Sequence, residues 1–168
     1  MRIRLVTAMI TAAGALAAQA AVTPFGAGCS FQSQVPAIGN VGLPHLGQAF
    51  DLTYSGPNYT YNSAQQIARP HLALGLQAQT TPIPANLLLY QPAGCTGYLV
   101  PLGLTPMAPD PVLPQYEASF RFAVPNDPGL IGAQILAQWL MLHTQCGFSG
   151  CGLSAAITSD AALITIGP

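Results

Sequence analysis

The stretch Asn126-Asp127-Pro128-Gly129-Leu130-Ile131-Gly132-Ala133-Gln134-Ile135-Leu136-Ala137-Gln138-Trp139-Leu140-Met141-Leu142-His143 decides the fold. From Gly132 onward it is apolar nearly all round, with Gln134 and Gln138 as the polar exceptions. As a helix, it would be capped by Asp127 with Pro128 at its first position, and the two glutamines would form a short polar stripe. As a strand, it would follow a single helical turn over residues 128–131 and be buried on both faces. Periodicity does not separate these readings. The neighbours do, because they are strand-like on both sides, and the strand reading is preferred for that reason.

Just upstream, residues 117–124 show the cleanest alternation in the chain. Ala118, Phe120, Phe122 and Val124 point one way, and Glu117, Ser119 and Arg121 the other. Residues 48–54 alternate too, with Phe50, Leu52 and Tyr54 on one face. Residues 71–77 place Leu72, Leu74 and Leu76 inward. Short apolar runs at 87–90 and 98–100 add further strands. Downstream, residues 153–158 and 162–166 read as two strands around a Ser159-Asp160 turn. With 16 prolines and 17 glycines, long helices are disfavoured. The expectation is an all-β, antiparallel β-sandwich of short strands, Ig-like or jelly-roll-like, in one domain over 48–168. Residues 21–47, rich in Gly and Pro, read as an irregular lead-in.

The first 20 residues have the form of a secretory signal. Arg2 and Arg4 precede an apolar run, and Ala18-Gln19-Ala20 fits the small-x-small cleavage rule, so a helical signal peptide cut after Ala20 is expected. No second long apolar run follows, so no membrane span is expected after cleavage. Beyond the cut there is no lysine, and Arg69 and Arg121 face Asp51, Asp110, Glu117, Asp127 and Asp160. Two cations against five acids leave −3. Such a chain cannot neutralise a run of phosphates, which argues against nucleic acid as a partner. Hydrophobic residues make up 51%, enough for a core and against disorder.

Cys29, Cys95, Cys146 and Cys151 form an even set, read as two disulfides in an exported chain. Three pairings are open. Cys146–Cys151 is favoured because Gly147, Ser149 and Gly150 let the short loop close, and Cys29–Cys95 then follows by elimination. A metal site is disfavoured, because the Cys-x4-Cys pair with His143 has no second ligand pair at zinc-like spacing. His45, His71 and His143 are scattered. No serine lies in a Gly-x-Ser-x-Gly elbow, and Ser149 reads as the middle of the disulfide loop. Nothing selects a carboxylate pair among the five acids. No catalytic residue and no cofactor is expected.

The one feature that points to recognition is a cluster of Tyr54, Tyr59 and Tyr61 among Asn58, Thr60 and Asn62. Exposed aromatics beside amides stack on apolar faces and hydrogen-bond hydroxyls, which suits a polysaccharide or a protein surface. The plain alternative is a polar loop whose tyrosines pack on its own base.

Several motifs carry a resemblance. They are Gly26-Ala27-Gly28-Cys29, Leu72-Ala73-Leu74-Gly75, Ala93-Gly94-Cys95-Thr96-Gly97-Tyr98, residues 124–132 leading into Ala137-Gln138-Trp139, and residues 159–167. Together they resemble a family of uncharacterised secreted bacterial Gly/Pro-rich β-sandwich modules. The resemblance implies export, a sandwich fold and a disulfide between the first two cysteines, and it brings no assigned activity. Cys146 and Cys151 depart from its pattern. The expected function is a secreted, non-catalytic module acting by binding or structure at or outside the cell envelope. A self-assembling structural subunit and a small extracellular hydrolase are the alternatives.

Overall fold

The computed structural model describes residues 18–30, 34–56, 66–84, 92–107, 118–147 and 150–168. The expected signal helix and the expected strand at 87–90 lie outside them. The described chain forms β1 (Ala21–Phe25), β2 (Ala37–Val41), β3 (Ala49–Ser55), β4 (Gln66–Gly75), β5 (Ala78–Pro82), β6 (Thr96–Leu99), β7 (Gly103–Pro106), β8 (Ala118–Ala123), β9 (Gln134–Gly147) and β10 (Gly150–Thr165). One five-stranded sheet runs β1-β10-β9-β4-β7, and a three-stranded sheet runs β2-β3-β8. A β5-β6 pair is separate. Every strand pairing is antiparallel.

The larger and smaller sheets close on one core. Ile38, Phe50, Leu52, Tyr54, Ala118 and Val124 come from β2, β3 and β8 or their ends, and they meet Leu72, Ala137, Trp139, Met141, Ile157, Ala162 and Ile164 from the larger sheet. The alternations at 48–54 and 117–124 thus face inward as the sequence implies. Phe50 stacks on Phe122 at 5.3 Å, and Tyr54 meets Trp139 edge-on at 6.0 Å. The chain is an all-β sandwich.

The deciding stretch is a strand. A 3-10 turn at Pro128–Leu130 is held by Asp127, whose Oδ1 accepts from the Gly129 N–H at 2.9 Å. β9 then runs through the middle of the larger sheet, between β10 and β4. Its odd positions Ala137, Trp139 and Met141 enter the main core, and Leu136 enters a second cluster with Ala73 and Leu99 on the opposite face. A strand buried on both faces has no reason to alternate, which is why its pattern imitates a buried helix.

Three expectations need correction. The lead-in is not irregular: β1 pairs with β10 from Ala21↔Thr165 to Phe25↔Ala161, and β2 pairs with β3. Pro24 is tolerated because β1 is an edge strand. Leu76 does not point inward. Strand β4 starts earlier, at Gln66, and stops at Gly75, leaving Leu76 68% exposed. Gly75 itself permits a close crossing, since a Cβ there would collide with the Val100 carbonyl oxygen. Finally, Ser159-Asp160 is no turn. β10 is continuous and absorbs these residues as a bulge, where the register against β9 shifts between Thr158 and Ala161. The bulge turns Asp160 toward β2, and its Oδ1 accepts the Ile38 N–H at 2.8 Å, joining the two sheets. Burial raises the Asp160 pKa, and this hydrogen bond opposes the rise.

Candidate functional site

Of the predicted recognition cluster, Tyr54 alone lies among the described residues. Tyr54 is 1% exposed and belongs to the core. It was legible in two ways, as the inward member of the β3 alternation and as the start of a tyrosine cluster. Packing against Trp139 is the reading that holds, because burying an aromatic ring is worth more than leaving it in a polar loop. Asn58, Tyr59 and Tyr61 lie outside the described residues, as do Asp110, Glu117 and Ser149.

The four cysteines pair as Cys29–Cys95 and Cys146–Cys151. Two disulfides point to an oxidising environment. Among the described residues, no helix is long and apolar enough to cross a membrane. No group of three His, Cys, Asp or Glu among them is arranged to hold a metal ion. The histidines stand apart. His45 Nδ1 lies 2.6 Å from the Pro168 carbonyl oxygen, and His71 Nδ1 lies 3.0 Å from that of Arg69. His143 is buried at 5% exposure on β9, and burial lowers its pKa to about 4. A neutral imidazole in a dry site is a packed side chain that resists protonation.

The outer face of the larger sheet carries the most developed polar construction. Gln138 is 1% exposed there. Its Nε2 donates to the carbonyls of Thr96 at 2.9 Å and Ser159 at 2.8 Å, while its Oε1 accepts the Tyr98 N–H at 2.9 Å. Both amide hydrogens and one lone pair of Oε1 are thus used, and the side chain ties β6 to the β10 bulge. Ser159 Oγ accepts the Trp139 N–H at 3.0 Å. Beside them, the Thr158 N–H donates to Cys29 Sγ at 3.2 Å, and Tyr98 Oη donates to the Ala27 carbonyl at 3.2 Å. Gly26 adopts φ 75° where a Cβ would come within 2.6 Å of the Tyr98 ring. This is a weld: the polar groups named here bond one another across β6, β9 and β10.

Next to the weld lies a surface that is offered. Thr23 and Phe25 of β1, Leu76 and Ala78 at the β4–β5 connection, Gln134 and Leu136 of β9 and Leu163 of β10 line a trough of about 390 Å³. The register explains the grouping. Thr23 lies opposite Leu163, and Leu163 opposite Leu136, so one cross-strand row forms the floor. None of the described residues that line it is ionisable. Its volume falls in the range of small-ligand sites, which are mostly apolar with a few polar groups that orient the guest. Here those groups are the Thr23 hydroxyl and the Gln134 amide.

Sequence reasoning missed this trough because its residues come from four separate segments, one of them in the supposed lead-in. The available signal was that Thr23 and Phe25 share one face of an alternating pair of residues. No family model, curated protein or solved structure matches the chain.

Proposed function

We propose that the protein is an exported, non-catalytic recognition module, akin to the secreted bacterial Gly/Pro-rich modules that its motifs resemble, and that the outer-face trough is its binding surface. One observation carries this reading: a neutral, preformed apolar trough stands open on a scaffold stapled by a buried disulfide and the Gln138 weld. The guest it suits is an uncharged, apolar group on an extracellular protein, or the apolar face of a sugar laid against Phe25.

The test uses the oxidised protein from Ala21 onward against neutral envelope polysaccharides and extracellular proteins. Leu76→Asp puts a charge in the trough without disturbing the core. The Tyr59→Ala/Tyr61→Ala variant runs beside it. Binding lost at least about tenfold in Leu76→Asp, and kept in the tyrosine variant, supports the trough. The reverse pattern moves the site to the tyrosine segment. Absence of any binding overturns the recognition reading.

A second reading, a self-assembling subunit, rests on β7. This edge strand is exposed along its length, with Leu102 72% and Leu104 49% exposed and no charged residue between Val100 and Met107. An edge without charge is an open template for strand pairing. Light scattering decides it: a mass that rises with concentration supports assembly, and a constant monomer mass removes it.

A further inference from the structure

The two disulfides are built for different fates. Cys29 and Cys95 are 2% and 1% exposed, and Cys29 Sγ is enclosed by Thr158. Cys146 and Cys151 face each other across the β9–β10 ladder close to the end of the hairpin, with Cys151 exposed. The glycines around them have open space beside the backbone. A Cβ added at Gly147, Gly150 or Gly152 would meet no atom within 4 Å, and Leu153 is 46% exposed. Three glycines in so short a ladder give it little intrinsic strand preference.

The register also marks where this outer segment stops. Pairing runs from Gly150↔Gly147 to Leu153↔Thr144, then shifts before Ala155↔His143. At that shift Ser154 Oγ donates to the His143 carbonyl at 3.1 Å, and from Ser154 to Ser159 β10 is buried. On the β10 side, residues 150–153 are thus held by the clasp and by pairing to β9, whose Thr144 and Gln145 pair in turn with Ile67 and Gln66 of β4; an edge segment of this kind opens locally while the rest of a domain stays folded.

We propose that Cys146–Cys151 is a reducible clasp that an external dithiol opens while Cys29–Cys95 stays closed, freeing the hairpin tip as far as the Ser154 bulge. The dithiol's thiolate attacks Sγ of Cys151, the exposed partner of the pair. The Sγ–Sγ bond breaks, and Cys146 leaves as a thiolate that takes a proton from water. The second thiol of the reagent then attacks its own sulfur in the mixed disulfide, releasing Cys151 as a thiol. The protein gains two thiols, and the dithiol is oxidised to its disulfide. Access decides the order of reaction: the clasp is open to solvent, whereas the buried bond needs the sandwich to open first.

The exported, oxidised protein is treated with dithiothreitol under native conditions, quenched in acid, alkylated and mapped by mass spectrometry. Cys146 and Cys151 are expected to label at least about tenfold faster than Cys29 and Cys95. Hydrogen exchange on the same reduced sample is expected to rise in 144–147 and 150–154 and to stay unchanged in 134–143 and 155–165. A Cys146→Ser/Cys151→Ser variant is expected to reproduce that exchange pattern without reductant. Equal labelling of both pairs, or earlier labelling of Cys29 and Cys95, overturns the selective clasp. An unchanged exchange pattern after clean reduction at 146 and 151 overturns its role in holding the tip.

Discussion

The interior of the domain and the β9–β10 tip each carry one disulfide, and they show how differently the same bond can serve. In the interior, Cys29–Cys95 joins residues 66 apart and lies inside a network in which Gln138, Thr158 and Ser159 are all buried. At the tip, Cys146–Cys151 joins residues 5 apart, where a Cβ added at Gly147, Gly150 or Gly152 would meet no neighbour. The first removes much freedom from the unfolded chain and sits where its loss would also disturb the packing. The second removes little and governs only its own neighbourhood. Stability and local control are therefore assigned to different places in one small domain.

The largest expected effect comes from breaking the first bond. Loop-closure entropy assigns about 4 kcal/mol to a loop of the Cys29–Cys95 length and about 2 kcal/mol to the Cys146–Cys151 loop. Denaturant titration of Cys29→Ser/Cys95→Ser against Cys146→Ser/Cys151→Ser measures the difference. Equal losses would show that burial and loop length do not separate the two bonds.

Acid should come next. His143 is held near pKa 4 by burial, against 6.5 when unfolded. Because the folded value is depressed, the unfolded chain binds the proton more readily as pH falls. Stability is whole above about pH 6.5, declines between 6.5 and 4, and levels off below, with a total loss on the order of 3 kcal/mol. Chemical denaturation from pH 7.5 to 4 follows it, and His143→Gln should flatten this part of the curve. A slope that survives that substitution would place the acid sensitivity in another group.

A similar or slightly smaller loss is expected from Gln138→Ala. It leaves the carbonyls of Thr96 and Ser159 and the Tyr98 N–H without their partner, at about 1 kcal/mol or more each, for a total of about 3 kcal/mol or less. Thermal unfolding reads it. Combining it with Cys29→Ser/Cys95→Ser sharpens the comparison: if the weld is one unit, the combined loss is smaller than the sum of the two.

The histories of particular residues show how far the sequence could be read. The strands β3 and β8 were legible because each has one buried and one solvated face, and alternation records that difference. β9 was legible only through its neighbours, since a strand buried twice carries no period. β1 was not legible. Ala21–Phe25 is a strand because β10 lies beside it, and its own Pro24 argues the other way. Ser159-Asp160 has turn chemistry, yet it became a bulge because Asp160 gains the Ile38 N–H and Ser159 gains the Trp139 N–H. For the candidate site the gap was wider. Tyr54 was assigned both to the core and to a surface cluster, and only contact with Trp139 separates the two. The trough had no sequence signature, because its floor is a row that runs across strands.

By itself, the sequence determined the all-β class, the even cysteine set, the shortage of cations, and the 3-10 turn before the central strand. Each follows from composition or from a few neighbouring residues. The tertiary structure alone decided that Gln138 is a weld, that the two disulfides differ in exposure, and that Thr23, Phe25, Leu136 and Leu163 share a surface. The physical reason is one of range. Turns and alternation are fixed by atoms a few bonds apart, whereas burial, hydrogen-bond satisfaction and troughs arise between segments that only the packed sheets bring together.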